Sequence, residues 1–287
     1  MTRELSCDKE TRLLKKRYRE CAEKVKENAY LSRYADEKIV HSLQVVGAGN
    51  FILKHEKIFS DKDGEQQYRA KLAYLFHDIG RFPEIEAMLI LENPARWENS
   101  AQLKLSHGVL GADYLRQFTE YNLPEIIIPI KRHCDLPEAF YTDEELLQIS
   151  NPALKQDVID NYKLACDADK IANFALFTRA YNKLKTVFYG HLTPEEVTAP
   201  VSAEILQYFD GEKLVPSLLT HSLCDRILSV ICWIFDLNYC SSFNFCLRLH
   251  LFEQMLKILR EHNPEQEVQD HIERKTDEFL AKRLQQF

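Results

Sequence analysis

A chain of 287 residues, 45% hydrophobic and 28% charged, with only 8 glycines and 10 prolines, has a soluble globular composition and room for one large domain or two small ones. Its net charge of −7 excludes a general polyanion binder, because a phosphate backbone is met by a basic surface, so nucleic acid is not an expected partner. The charged opening MTRELSCDKETRLLKKRYRE does not read as a secretory leader, and no apolar run reaches the length of a membrane span. Eight cysteines without a CxxC pair then predict free thiols in a reducing, cytoplasmic setting.

In chain order the periodicity is helical almost throughout, and the expected fold class is all-α. Residues 9–30 form an amphipathic pattern with Leu14, Tyr18, Cys21, Val25 and Ala29 on one face. Asp36 is placed to cap a second helix carrying Ile39, Val40, Leu43, Val46 and Ile52. The loop DKDGE separates it from a helix ending at His77-Asp78, where Gly80 suits a cap and Pro83 opens a short helix. The polar stretch ENPARWENS reads as an exposed loop. Further helices are expected over 101–119, 124–134, 143–149 and 152–182. After the break GHLTPEEVTAP they resume near 201–209, 216–237, 241–261 and 265–285. The expected organisation is an N-terminal helix (1–35), a metal-binding core (36–182) and a helical extension (183–287). The apolar run RILSVICWIFDL marks the extension as largely buried, shaping a pocket or a homodimer interface.

Four histidines stand in distinctive contexts: His41 in KIVHSLQVV, His77 in YLFHDIGRF, His107 in KLSHGVLGADYL and His133 in PIKRHCDLP. LACDADKIANF adds Asp167 and Asp169. Each of these histidines, taken singly, is compatible with an ordinary hydrogen-bonded helix residue. Taken together they make a metal candidate that only a helical bundle can assemble, since apart from His77-Asp78 no two are neighbours in sequence. Small residues beside them favour close helix approach: Ala70 and Ala73 before His77, Gly108 and Gly111 after His107, Ala165 and Ala172 around Asp169. Asp167 and Asp169 point roughly 200° apart on a helix. Asp169 shares its face with the alanines and is the expected ligand, whereas Asp167 is assigned to the helix surface near Lys163 or Lys170.

HDIGR, with HSLQVV, SHGVLGA, a later RH and DADKI in that order, resembles the HD-domain superfamily of metal-dependent phosphohydrolases over residues 36–182. The resemblance implies a helical bundle with His41, His77, Asp78 and Asp169 as the basic metal site and His107 and His133 extending it to six ligands. It also implies two ions bridged by Asp78 and a metal-activated water attacking a phosphoryl group of a small, nucleotide-like substrate. Imidazole ligands suit Fe, Mn, Zn or Ni, in one or two ions, better than a hard cation. Asp78 and Arg81 are the catalytic candidates, Arg81 because its planar fork suits phosphate oxygens and family members often have a basic residue there. Lys131, Arg132, Lys170, Arg96 and Trp97 are further substrate-binding candidates, Trp97 by stacking. The glycine-tyrosine-proline signature of cyclic-dinucleotide phosphodiesterases is missing after His133, where the chain reads CDLPEAF. The same ligand order also resembles the HD-type diiron oxygenases, and a catalytically silent nucleotide-binding regulator is a third reading.

Overall fold

The computed structural model describes residues 7–91, 106–188 and 192–286. These are helical with no strand among them. They fall into two compact units, Met1–Ala172 and Asn173–Phe287. Arg96 and Trp97, with all of ENPARWENS, lie outside the described residues.

The first unit begins with α1 (Asp8–Val25), whose Leu14, Cys21 and Val25 are fully buried. The pattern expected to run on to residue 30 stops there because Asn28, not Asp36, caps the next helix: its side chain accepts from the Leu31 N–H at 3.1 Å. Helix α2 (Ala29–His55) therefore starts eight residues early, and Asp36 lies within it, accepting from the Tyr18 hydroxyl at 2.6 Å. The short α3 (Lys57–Ser60) leads to α4 (Gly64–Leu75), which opens on a capping box between Asp63 and Gln66. Residues 76–80 turn the chain into α5 (Arg81–Ala87). Then follow α6 (His107–Leu115), α7 (Pro124–Arg132), α8 (Pro137–Tyr141), α9 (Glu144–Leu147) and the long α10 (Pro152–Phe188), which runs across the division between the units.

One apolar cluster joins α1, α2, α4, α5, α6 and α7, with Phe76 and Ile79 from the α4–α5 turn and Phe82 from α5 among Leu31, Leu115 and Ile130. Each such side chain, fully buried, is worth roughly 1.5–3 kcal/mol. Burying the turn that carries His77 and Asp78 therefore fixes it from both sides in sequence. A second cluster, with Phe140 stacked on Tyr162 at 3.6 Å, fastens α8 and α9 to α10.

In the second unit α11 (Pro194–Thr198), α12 (Ala203–Asp210), α13 (Leu223–Ile231), α14 (Cys240–Arg248), α15 (Leu251–His262) and α16 (Gln266–Gln285) follow. The helix expected over 216–237 is shorter and ends in a 3-10 turn at Cys232–Asp236. The one expected over 241–261 is broken at His250, which takes a left-handed backbone (φ 53°) and separates α14 from α15. RILSVICWIFDL is buried as expected at Ile227, Leu228, Ile231 and Ile234. All eight cysteines are free thiols, and no described helix is long and apolar enough to cross a membrane.

Candidate metal centre

Four helices and one turn deliver six side chains to one place. His41 sits mid-way along α2, His107 is the first residue of α6, His133 follows the last turn of α7, and Asp169 lies on α10. Pro124 starts α7 at a position where no amide donor is needed, and the Asn151 side chain accepts from the Ala153 and Leu154 amides to start α10. His77 and Asp78 come from the turn, which is closed by Ile79 N–H to Phe76 O at 3.0 Å and Arg81 N–H to Asp78 O at 2.9 Å.

Gly80 is not a left-handed cap there, since its φ is −74°. Its role is close approach: a Cβ at Gly80 would lie 1.9 Å from the His107 carbonyl oxygen and 2.4 Å from the Gly111 nitrogen. Gly108 likewise lies against α7, where a Cβ would meet the Lys131 carbonyl oxygen at 2.5 Å. Backbone thus packs on backbone, and the short imidazole of His107 reaches Asp78.

The two oxygens of Asp78 face different partners. Oδ1 is 3.3 Å from His107 Nε2 and 3.7 Å from His133 Nε2, while Oδ2 is 3.7 Å from His77 Nε2 and 3.9 Å from His41 Nε2. Asp169 Oδ1 closes the second group, 2.8 Å from His41 Nε2 and 3.7 Å from His77 Nε2. His107 and His133 hold their Nε2 atoms 3.1 Å apart. Ligands about one ion at 2.0–2.1 Å stand roughly 2.8–3.4 Å from each other, in octahedral or tetrahedral arrangement. The spacings here begin in that range at 2.8 Å and extend to 3.9 Å.

Tautomers follow from the surroundings. His77 Nδ1 faces the Tyr74 carbonyl at 2.8 Å and His133 Nδ1 faces the Ile130 carbonyl at 2.7 Å, so each donates its Nδ1 proton there and turns the Nε2 lone pair to the centre. His77 Nε2 is buried and makes no hydrogen bond. A buried acceptor with no hydrogen bond, facing two carboxylates, fits a site that holds a cation. Burial pushes the His77 imidazole down to about 4, against the opposing pull of Asp78 and Asp169, and burial and Arg81 hold His107 well below its ordinary value. Both are neutral, the form that ligates metal. Burial alone would raise Asp78, but the charges of Lys38 and Arg81 outweigh it and keep the carboxyl ionised. Asp169 is held low in the same way, chiefly by His41 against its own desolvation. The donor set of imidazoles and carboxylates fits a divalent transition metal.

Cations flank this centre. Arg81 has Nε 3.4 Å from Asp78 Oδ1 and Nη1 2.7 Å from Glu84 Oε2. Lys38, which the sequence reading passed over, has Nζ 3.3 Å from Asp78 Oδ2 and only 14% of its side chain exposed. Its position three residues before His41, one turn away on the same face of α2, was the available signal. Burial would lower the Lys38 pKa, yet the Asp78 charge raises it above its ordinary value.

Two other substrate candidates are engaged elsewhere. Lys131 pairs with Asp143 at 2.9 Å and Glu145 at 2.7 Å, and Arg132 with Asp143 at 2.6 Å and Asp135 at 2.9 Å. Carboxylates of the α8–α9 region therefore meet both charges. Lys170 is half-buried beside Asp169. Asp167, expected at the helix surface, is instead fully buried, because α10 is covered on that face too. Cys134, unremarked in the sequence, lies with one ligand atom each of His107 and His133 in a group within 4.8 Å of one another.

Residues 39–173 match the family model of the HD domain. No curated protein and no solved structure matches the chain.

Proposed function

We propose, from the match of residues 39–173 to the HD domain, whose family members are typically metal-dependent hydrolases, that the protein is a phosphohydrolase cleaving a phosphoester or phosphoanhydride of a small, nucleotide-like substrate. The observation that carries the proposal is the division of labour at Asp78, one oxygen toward His107 and His133 and the other toward His41 and His77. With that division His107, His133 and Asp78 would hold one divalent ion, and His41, His77, Asp78 and Asp169 would hold a second.

Bound divalent ions there would lower the pKa of a water and polarise a phosphoryl oxygen. The chain's own residues supply the rest. Carbonyls of Tyr74 and Ile130 fix the tautomers of His77 and His133, so that neither imidazole takes up the role of a proton donor toward the site. Lys38 and Arg81 put two positive charges beside Asp78, on the side of the centre where a phosphate must compete with that carboxylate for them. Glu84 holds the Arg81 fork in place from behind. Burial of five of the six ligands lowers the local dielectric, whereas Asp169, with 22% of its side chain exposed, marks the side open to water and substrate.

The test is turnover under strict anaerobiosis with Mn or Fe supplied. Release of phosphate or of a nucleoside from a panel of phosphorylated compounds is expected, with Arg81→Ala raising KM at least tenfold while metal content stays unchanged. A panel left untouched with every metal, together with oxygen consumption by the Fe-loaded protein on adding an organic substrate, would replace this reading with the oxygenase one.

A further inference from the structure

The turn that carries His133 has the same hydrogen bonds as the turn that carries His77. Across His77 and Asp78 the Ile79 amide donates to the Phe76 carbonyl at 3.0 Å; across His133 and Cys134 the Asp135 amide donates to the Arg132 carbonyl at 3.0 Å. In both turns the histidine sends its Nδ1 proton back three residues, His77 to the Tyr74 carbonyl and His133 to the Ile130 carbonyl. Cys134 thus holds in the second turn the place that Asp78 holds in the first. It does not stand alone there. One ligand atom each of His107, His133 and Cys134 lie within 4.8 Å of one another, and both histidines are only 6% exposed. A cation is called for independently by His77 Nε2, which is fully buried, makes no hydrogen bond and falls in one group with Asp78 and His133.

The two sides of the centre are unequal. His41, His77, Asp169 and one oxygen of Asp78 make four ligands, whereas His107, His133 and the other oxygen make three. A four-coordinate ion is one protein ligand short on that second side. Around such an ion a sulfur and a nitrogen stand roughly 3.1–3.6 Å apart. A change of rotamer carries a cysteine Sγ by about 3 Å, which covers the difference from 4.8 Å. Little holds the side chain back, since Cys134 is exposed and its Sγ has only a weak contact with Ser106 Oγ, at 3.6 Å. We propose that Cys134 is a seventh ligand, completing the ion held by His107, His133 and Asp78 and widening the preference of that side for zinc over manganese. Thiolate is the soft member of the ligand set, and the thiol proton passes to water as it binds. The other side, all imidazole and carboxylate, has no such bias, so the centre sorts two different metals. This ligation depends on the metal centre and not on the hydrolytic reading.

Cobalt(II) is the probe, because a thiolate ligand gives it a near-ultraviolet charge-transfer band that imidazole and carboxylate do not. The full chain, stripped with a chelator and loaded with cobalt under reducing conditions, is expected to show that band. Cys134→Ser should lose it while the visible absorption of bound cobalt remains, and His107→Ala should lose it too, since the band belongs to the ion on that side. Zinc affinity, read by competition with a chromophoric chelator, should fall about tenfold or more in Cys134→Ser, and manganese affinity by less. The metal-free variant should melt with the native chain, since the residue is exposed. A cobalt-loaded native chain without the band, a band of full intensity in either variant, or zinc held as tightly by Cys134→Ser as by the native chain would each overturn the proposal. None of these measurements needs turnover, so failure of the hydrolytic reading would leave them as they are.

Discussion

Replacing Asp78 by asparagine keeps its volume and removes the charge that Lys38, Arg81 and four imidazoles surround. Purified Asp78→Asn should therefore retain its helical circular dichroism while its metal content, by elemental analysis, falls close to zero; full stoichiometry would contradict a bridging carboxylate. The buried thiols give a second measurement at this scale. Burial, reinforced by Glu86, pushes Cys21 up to about 12, and burial alone pushes Cys232 up to about 12 and Cys224, with help from Asp225, to about 11. The reactive form is the thiolate, so at pH 8 Cys21 should alkylate about a thousandfold more slowly in the native protein than in urea. Equal rates in the two states would show that the helix α1 face is open. The clustering of His41, His77, Asp78, His107, His133 and Asp169 was legible in the sequence because few chemistries put histidine and aspartate beside small residues on successive helices. Lys38 was not legible, because a lysine in an amphipathic helix normally marks the solvated face. The partners of Lys131 and Arg132 are likewise tertiary facts that no local pattern contains.

At the scale of elements, the α4–α5 turn and α6 meet backbone to backbone. Gly80→Ala puts a methyl group where the His107 carbonyl stands, and neither is a flexible side-chain end that can yield. Helix α6 must move, at a cost of about 1–3 kcal/mol for an overpacked site. The expected outcome is a lower melting temperature and loss of the ion on the His107–His133 side, with His41, His77 and Asp169 still able to hold the other. Unchanged metal content and melting temperature would show that α6 has slack. Helix existence was readable from periodicity almost everywhere; helix ends were not. Asn28 outcompetes Asp36 as a cap although both are good capping residues, because the chain turns at Lys26–Asn28 to fold α1 back onto α2. His250 breaks the 241–261 pattern without a glycine or proline to announce it; its exposed ring pairs with Glu253 at 2.9 Å.

For the whole molecule, the point of interest is where α10 stands. Contacts divide the chain between Ala172 and Asn173, and the family match ends at residue 173, yet α10 continues to Phe188. Asp169 is three residues short of that division. The last turn of a helix has carbonyls with no partner and frays. A protein cut at the apparent boundary would place its most exposed ligand in that fraying turn, while the other five remain on helices and a turn buried elsewhere. Such a fragment should keep the His107–His133 ion and lose the one held with Asp169, measured as about half the metal of the full chain; retention of both would mean that the turn is held by contacts within Met1–Ala172. The border between Ala172 and Asn173 is therefore a poor place for scissors, because it falls inside the helix that carries Asp169.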